Sequence, residues 1–201
     1  MTLPNQLTIL RIILTPIFLY LFLSIDPLLI QISIGVFLVA ALTDWYDGWL
    51  ARKFNYITDW GRFWDPLADK ILTSTAFLGF VFVGLLQLWM VLLIILRDLI
   101  ITLLRIYAES REYNFVTNYY AKWKTVLQMV FLYYLLLLYG GLNTFEVYSG
   151  NEQLFSQLSN KNMIYVIMLV ITIITVHSGI TYLFKNKHLI KKLFNDTNKL
   201  V

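Results

Sequence analysis

Leu28–Arg52 reads LLIQISIGVFLVAALTDWYDGWLAR. No ionisable residue occurs in it before Asp44. A bilayer core takes about 20 apolar residues per helix, so this run is long enough to cross one. Its last third nevertheless carries Asp44, Asp47 and Arg52. Ionisable groups at helix depth are expensive, and each needs a reason to be there. The stretch therefore points to an all-α integral membrane fold and to the part of it where chemistry is to be sought.

The same length rule, applied outward, gives six spans with soft boundaries. They are Asn5–Leu23, Leu28–Arg52, Asp59–Val83, Leu86–Ala108, Tyr120–Tyr139 and Met163–Phe184. Pro27 disfavours helix at the residue before it, so Ser24–Pro27 reads as a turn. Gly140–Lys161 is the longest polar stretch and reads as a loop. The first span is no signal peptide, because its apolar run is too long and no small-residue cleavage site follows. No repeat divides the chain, so residues 1–201 read as one membrane domain.

Composition agrees. Of the 201 residues, 59% are hydrophobic and 14% charged, whereas soluble domains run near 45–50% and about 25%. Mean hydropathy is +0.68. A soluble enzyme, a disordered chain and a disulfide scaffold are excluded. With no cysteine, thiol nucleophiles, thiolate metal sites and disulfides are excluded too. The net charge of +4 fits basic helix flanks facing anionic lipid better than a nucleic-acid partner. With the N-terminus in the cytoplasm, the outside holds Asp26, Glu146, Glu152 and Lys161, and the other 15 of the 16 basic residues lie on the inner side or within helices. By the positive-inside rule both termini are cytoplasmic.

Asp44 and Asp47 are spaced i,i+3 near the end of the second span, and Asp65 and Asp69 i,i+4 near the start of the third. Each pair shares a helical face. The two spans are antiparallel neighbours, so these carboxylates can converge at the cytoplasmic side. Left alone they repel and take up protons. A divalent cation removes that problem, and all-oxygen ligation favours Mg²⁺ or Mn²⁺ over zinc. Gly48 and Ala51 admit a closely approaching ligand or helix. The planar fork of Arg52 suits phosphate oxygens. Gly61 serves a turn or close packing. A bland alternative is that the acids are solvated anchors paired to Arg52, Arg62 or Lys70.

Asp44-x-x-Asp47-Gly48-x-x-Ala51-Arg52, eight further residues, then Gly61-x-x-x-Asp65-x-x-x-Asp69 resembles, at every fixed position, the signature of the CDP-alcohol phosphatidyltransferases. The motif spans 26 residues. The resemblance implies transfer of a phospho-alcohol group from a CDP-linked donor to an acceptor hydroxyl, with release of CMP. It implies two ions, Asp44, Asp47 and Asp65 as primary ligands, and Asp44, Asp65 and Asp69 on the second ion. Asp69 is then also the general base, and Gly48, Ala51, Arg52 and Gly61 line the CDP site. Family members are generally homodimeric.

Two further stretches resemble the bacterial phosphatidylglycerophosphate synthase branch. They are Pro4-Asn5-Gln6-Leu7-Thr8-Ile9-Leu10-Arg11 and Ala121-Lys122-Trp123-Lys124-Thr125-Val126-Leu127-Gln128-Met129. Ala121 stands where that branch usually has glycine, and Arg97-Asp98 where it commonly has Arg-Glu. This implies CDP-diacylglycerol as donor, sn-glycerol 3-phosphate as acceptor, and the bacterial cytoplasmic membrane as location. Asn5 and Thr8 then help hold the donor; helix N-capping is their alternative role. Arg97, Arg105, Lys122 and Lys124 are the candidates for the acceptor phosphate, against snorkelling or a local Arg97–Asp98 ion pair. Other acceptors, as in cardiolipin or phosphatidylinositol-phosphate synthases, stay open, as does divalent-cation transport. His177 reads as a helix–helix hydrogen-bonding residue. Lys185–Lys192 reads as an interfacial amphipathic segment.

Overall fold

The computed structural model describes residues 3–54, 58–111, 113, 119–144 and 149–197. Its long helices are α1 (Leu3–Phe22), α2 (Pro27–Phe54), α3 (Asp59–Phe82), α4 (Leu88–Ser110) and α5 (Tyr119–Leu142). After the short α6 (Glu152–Leu158) come α7 (Lys161–Lys185) and α8 (Lys187–Thr197). Each expected span falls within a long helix, apart from a residue or two at the ends. The loop expectation for Gly140–Lys161 needs correction. α5 continues to Leu142 and α6 occupies part of the stretch, because the side chain of Phe155 finds a buried seat (8% exposed) that its polar neighbours conceal.

Asp26 accepts from the backbone N–H of Leu28 and starts α2 beside the expected Pro27 turn. Thr58 caps α3, its hydroxyl accepting from the N–H of Gly61. The turn from α3 to α4 passes through Gly84 at φ +76°, a left-handed conformation that glycine adopts without steric cost.

The long helices pack in a ring. α1 lies against α2 and α3, α3 against α4, α4 against α7, α7 against α5, and α5 returns to α2. Phe18, Phe22, Phe37, Phe77, Phe80, Met90, Ile94, Leu132, Leu135 and Met168 fill the middle. Rings meet edge-on or tilted, as between Phe22 and Phe80 at 5.1 Å and Phe22 and Tyr139 at 4.9 Å. A Cβ on Gly79 would stand 3.0 Å from the Phe22 ring, so the missing side chain lets α1 press onto α3.

Four stretches among the described residues are long and apolar enough to cross a membrane, within Asn5–Phe22, Pro27–Leu50, Lys122–Leu142 and Glu152–Lys185. The ring's outer surface exposes Leu10, Ile13, Ile17, Leu92, Leu96, Val130 and Ile173, which suits lipid and not water. The protein is a multi-pass membrane protein. α3 and α4, at 24 and 23 residues, have the length of spans but carry the charges of the site. Successive long helices alternate in direction. That alternation brings the start of α1, the end of α2, the start of α3, the end of α4, the start of α5 and the end of α7 to one end of the ring. The buried charges gather there, and the aromatic core lies towards the other end.

Candidate active site

Four carboxylates from two helices gather at this end of the ring, and three of them, Asp44, Asp47 and Asp65, contact α1. Asp44 and Asp47 sit near the end of α2, and Asp65 and Asp69 lie in the first half of α3. Asp44 is within electrostatic reach of Asp65 and Asp69, and Asp47 of Asp44 and Asp65. Each takes a protein partner through one oxygen. Arg11 Nη1 lies 2.6 Å from Asp44 Oδ1, and Arg11 Nη2 donates to Asp47 Oδ2 at 2.6 Å. The Thr8 hydroxyl donates to Asp65 Oδ1. Lys70 Nζ lies 3.0 Å from Asp69 Oδ2.

The alternative of N-capping for Asn5 and Thr8 does not hold. Both are buried inside α1 and reach across to α3. Thr58 Oγ1 donates to Asn5 Oδ1 at 2.9 Å, while the Asp65 contact belongs to Thr8. A Cβ on Gly61 would stand 3.2 Å from Asp65 Oδ2 and 3.3 Å from Asn5 Oδ1. Gly61 therefore leaves a small polar cradle between α1 and α3. Gly48 is half-buried one residue past Asp47 on α2. Ala51 and Arg52 continue α2, but their side chains lie outside the described residues.

A second group faces the first across Lys70. A cavity of about 440 Å³ is lined by Lys70, Arg97, Asp98, Arg105, Lys122 and Tyr182, among others. It presents four cations and one carboxylate to whatever enters. Lys124 is the exception among the expected acceptor residues. It is 1% exposed and donates to Asp98 Oδ1, so it holds the wall in place and does not line the space. Arg97 Nη1 donates to Asp98 Oδ1 at 3.0 Å and Nη2 to Ser178 Oγ at 2.9 Å. The local Arg97–Asp98 pair is thus real, and Arg97 still lines the cavity. Arg105 pairs with Glu109 at 2.8 Å one turn on in α4. His177 is exposed on α7, away from this group.

A family model described as CDP-alcohol phosphatidyltransferase matches residues 1–176. The chain belongs to that family. Among curated relatives, the CDP-diacylglycerol–glycerol-3-phosphate 3-phosphatidyltransferase of Bacillus subtilis (strain 168) is 37% identical over 67% of this chain and 76% of its own. The enzyme of that name from Rickettsia typhi is 36% identical over 67% of this chain and 75% of its own. The one from Mycoplasma pneumoniae is 33% identical over 64% of each chain.

Enzymes of this family generally depend on divalent metal, and the donor set here fits a hard cation. Its donors are all carboxylate oxygens, each tether engages one oxygen of its carboxylate, and the Gly61 cradle keeps side-chain carbon away from Asp65. Among the described residues no three of these groups close into a metal cage; Asp44 and Asp47 share Arg11, Asp65 takes Thr8 and Asp69 takes Lys70.

Sequence reasoning gave no role in this phosphatidyltransferase fold to Arg11, Ser178 or Gly179, and took Lys70 and Asp98 only as ion-pair partners, which they are. Arg11 was legible as an isolated charge within an apolar run, and it lies three residues from Thr8 on one helical face. Lys70 and Asp98 carry charge at helix depth and were readable on the same ground. Ser178 and Gly179 gave no signal, since small residues in an apolar helix read as packing.

Proposed function

We propose that this protein transfers the phosphatidyl group of CDP-diacylglycerol to sn-glycerol 3-phosphate, giving phosphatidylglycerophosphate and CMP. One observation carries the reading. Lys70 joins the acidic cluster to the cationic cavity, pairing with Asp69 while lining the space beside Arg97, Arg105 and Lys122. An acceptor that carries both a phosphate and a hydroxyl fits that arrangement, its phosphate on the cations and its hydroxyl towards Asp69. The names of the Bacillus and Rickettsia relatives support the same donor and acceptor.

Asp44, Asp47, Asp65 and Asp69 hold two Mg²⁺ or Mn²⁺ ions in this reading. When bound, the ions supply neutralisation of the donor's diphosphate charge. Asn5, Thr8, Gly48, Ala51, Arg52 and Gly61 surround the CDP moiety. Asp69 accepts the proton of the attacking hydroxyl. Arg97, Arg105 and Lys122 fix the acceptor phosphate, and Lys124 acts through Asp98. The new ester bond forms at the donor's β-phosphorus as its bond to the CMP oxygen breaks.

The lysine and arginine asymmetry supports six spans, both termini in the cytoplasm and a site open to the cytoplasmic leaflet of a bacterial inner membrane. Residues 1–201 form one domain in this reading. The family resemblance favours a homodimer.

An acceptor panel tests the reaction. Purified protein receives CDP-diacylglycerol and Mg²⁺ with glycerol 3-phosphate, phosphatidylglycerol, inositol phosphate or serine, and CMP and lipid product are followed. CMP release with glycerol 3-phosphate alone, abolished by EDTA and by Asp65→Asn, is the expected result. Release with a different acceptor keeps the family chemistry and overturns the acceptor.

A further inference from the structure

Arg11 is 0% exposed and contacts two carboxylates of the acidic cluster at once. Asp44 and Asp47 stand one turn apart on α2, a spacing at which unpaired carboxylates repel and diverge. The guanidinium fork reaches both at 2.6 Å. It does so at a cost, for its Nε is buried with no hydrogen-bond partner among the described residues, and the Nη1 contact is ionic without hydrogen-bond alignment. The orientation of Arg11 is therefore set by the two carboxylates and not by satisfaction of its own donors. The backbone beneath it is also held, since the Thr15 hydroxyl donates to the Arg11 carbonyl at 2.8 Å. Asn5, Thr8, Arg11 and Thr15 are all buried, forming a polar stripe along α1 that faces α2 and α3.

The contacts use one oxygen from each carboxylate, Asp44 Oδ1 and Asp47 Oδ2. Among the described residues, no hydrogen bond or ion pair takes the other oxygen of either. We infer that Arg11 is a positioning residue for the ion site: it clamps Asp44 and Asp47 into convergence from behind, so that their second oxygens present a preformed pair to a divalent cation. The inference rests on the proposed role of these carboxylates as metal ligands. Partners that orient metal ligands usually contribute about 10–100-fold to metal affinity. A lysine in the same place keeps the charge, but its single point donor lacks the fork that engages two carboxylates at once.

The sign of the effect separates this role from plain electrostatics. If Arg11 were only a nearby positive charge, or a competitor for the same oxygens, its removal would tighten cation binding. A clamp predicts the reverse. Mn²⁺ binding to the full chain in lipid nanodiscs, read from the free-ion paramagnetic resonance signal, makes the comparison without any turnover. The expected result is that Arg11→Gln and Arg11→Lys each bind Mn²⁺ about tenfold or more weakly than the unsubstituted protein, with Arg11→Lys retaining helix content and melting temperature better than Arg11→Gln. Equal or tighter binding by Arg11→Lys overturns the inference. So does full restoration of affinity by lysine, which would make charge alone sufficient.

A second measurement needs no variant to fold. In protein labelled with ¹⁵N-arginine, the slowly exchanging guanidinium protons of the buried Arg11 are expected to persist when Mg²⁺ is added. Their release on adding Mg²⁺ identifies a competitor and overturns the clamp. Failure of the unsubstituted protein to bind Mn²⁺ at all is a different result. It removes the ion site itself, and the clamp with it.

Discussion

At the scale of single residues, the cationic cavity is built from behind as much as from within. A Cβ on Gly179 would come within 2.8 Å of Arg97 Cγ and 3.3 Å of its Nε. The Cγ is near the root of the side chain, so the clash is not relieved by swinging the guanidinium alone. Ser178, the preceding residue, takes the hydrogen bond from Arg97 Nη2. α7 therefore supplies a seat without which Arg97 leaves its position beside Asp98. Gly179→Ala is expected to raise the KM for glycerol 3-phosphate about tenfold, since a hydrogen bond to a charged group contributes about 1.5–3 kcal/mol and 1.4 kcal/mol is tenfold in affinity. The KM for CDP-diacylglycerol is expected to stay within about twofold, because Arg97 faces the cavity and not the Asp44–Asp65 cluster. Steady-state kinetics with each substrate varied in turn checks both statements. Equal increases for the two substrates would mean that the substitution disturbs the whole ring.

At the scale of elements, the sequence made some helices easy to read and concealed others. The four carboxylates were legible because i,i+3 and i,i+4 spacing fixes a shared face before any tertiary contact is known. Arg11–Asp47 and Lys124–Asp98 were not, since they join residues 36 and 26 positions apart and depend on which helices become neighbours. α6 was hidden because a single apolar anchor, Phe155, among polar residues leaves no helical stripe to detect. The amphipathic tail, in contrast, was legible and forms α8, Lys187–Thr197. Leu193 is buried, Lys187 and Lys191 are exposed, and Lys192 Nζ sits 5.3 Å from the Tyr113 ring centre. One face of α8 thus packs on the protein while lysines remain for anionic headgroups, each worth about 1 kcal/mol near such a surface. Hydrogen exchange across residues 187–193 is expected to be slower in nanodiscs containing anionic lipid than in neutral ones. Lys187→Gln with Lys191→Gln is expected to erase that difference. Equal exchange in both lipids would assign the helix's order to protein contacts alone.

At the scale of the whole molecule, function follows from the parity of the helices. Asn5, Thr8 and Arg11 open α1, Asp44 and Asp47 close α2, Asp65 and Asp69 open α3, and Arg97 lies near the middle of α4 with Arg105 in its second half. Lys122 opens α5 and Ser178 lies towards the end of α7. Each helix reverses the last, so groups far apart in sequence arrive at one level of the ring. A water-soluble phosphate can enter at that level while two acyl chains remain among the apolar outer faces. The arrangement requires the charged end to face the compartment that supplies the acceptor. The protein has no cysteine, so single cysteines report sidedness without a background. Asp26, Ser110 and Glu152 are exposed and mark the α1–α2 turn, the end of α4 and the start of α6. In intact cells a membrane-impermeant maleimide is expected to label Asp26→Cys and Glu152→Cys, whereas Ser110→Cys reacts only after permeabilisation. Labelling of Ser110→Cys alone in intact cells would invert the molecule and turn the cationic cavity away from cytoplasmic glycerol 3-phosphate. Labelling of Asp26→Cys without Glu152→Cys would break the alternation itself. α3 or α4 would then fail to span, and the carboxylates and the cavity could not share one end of the ring.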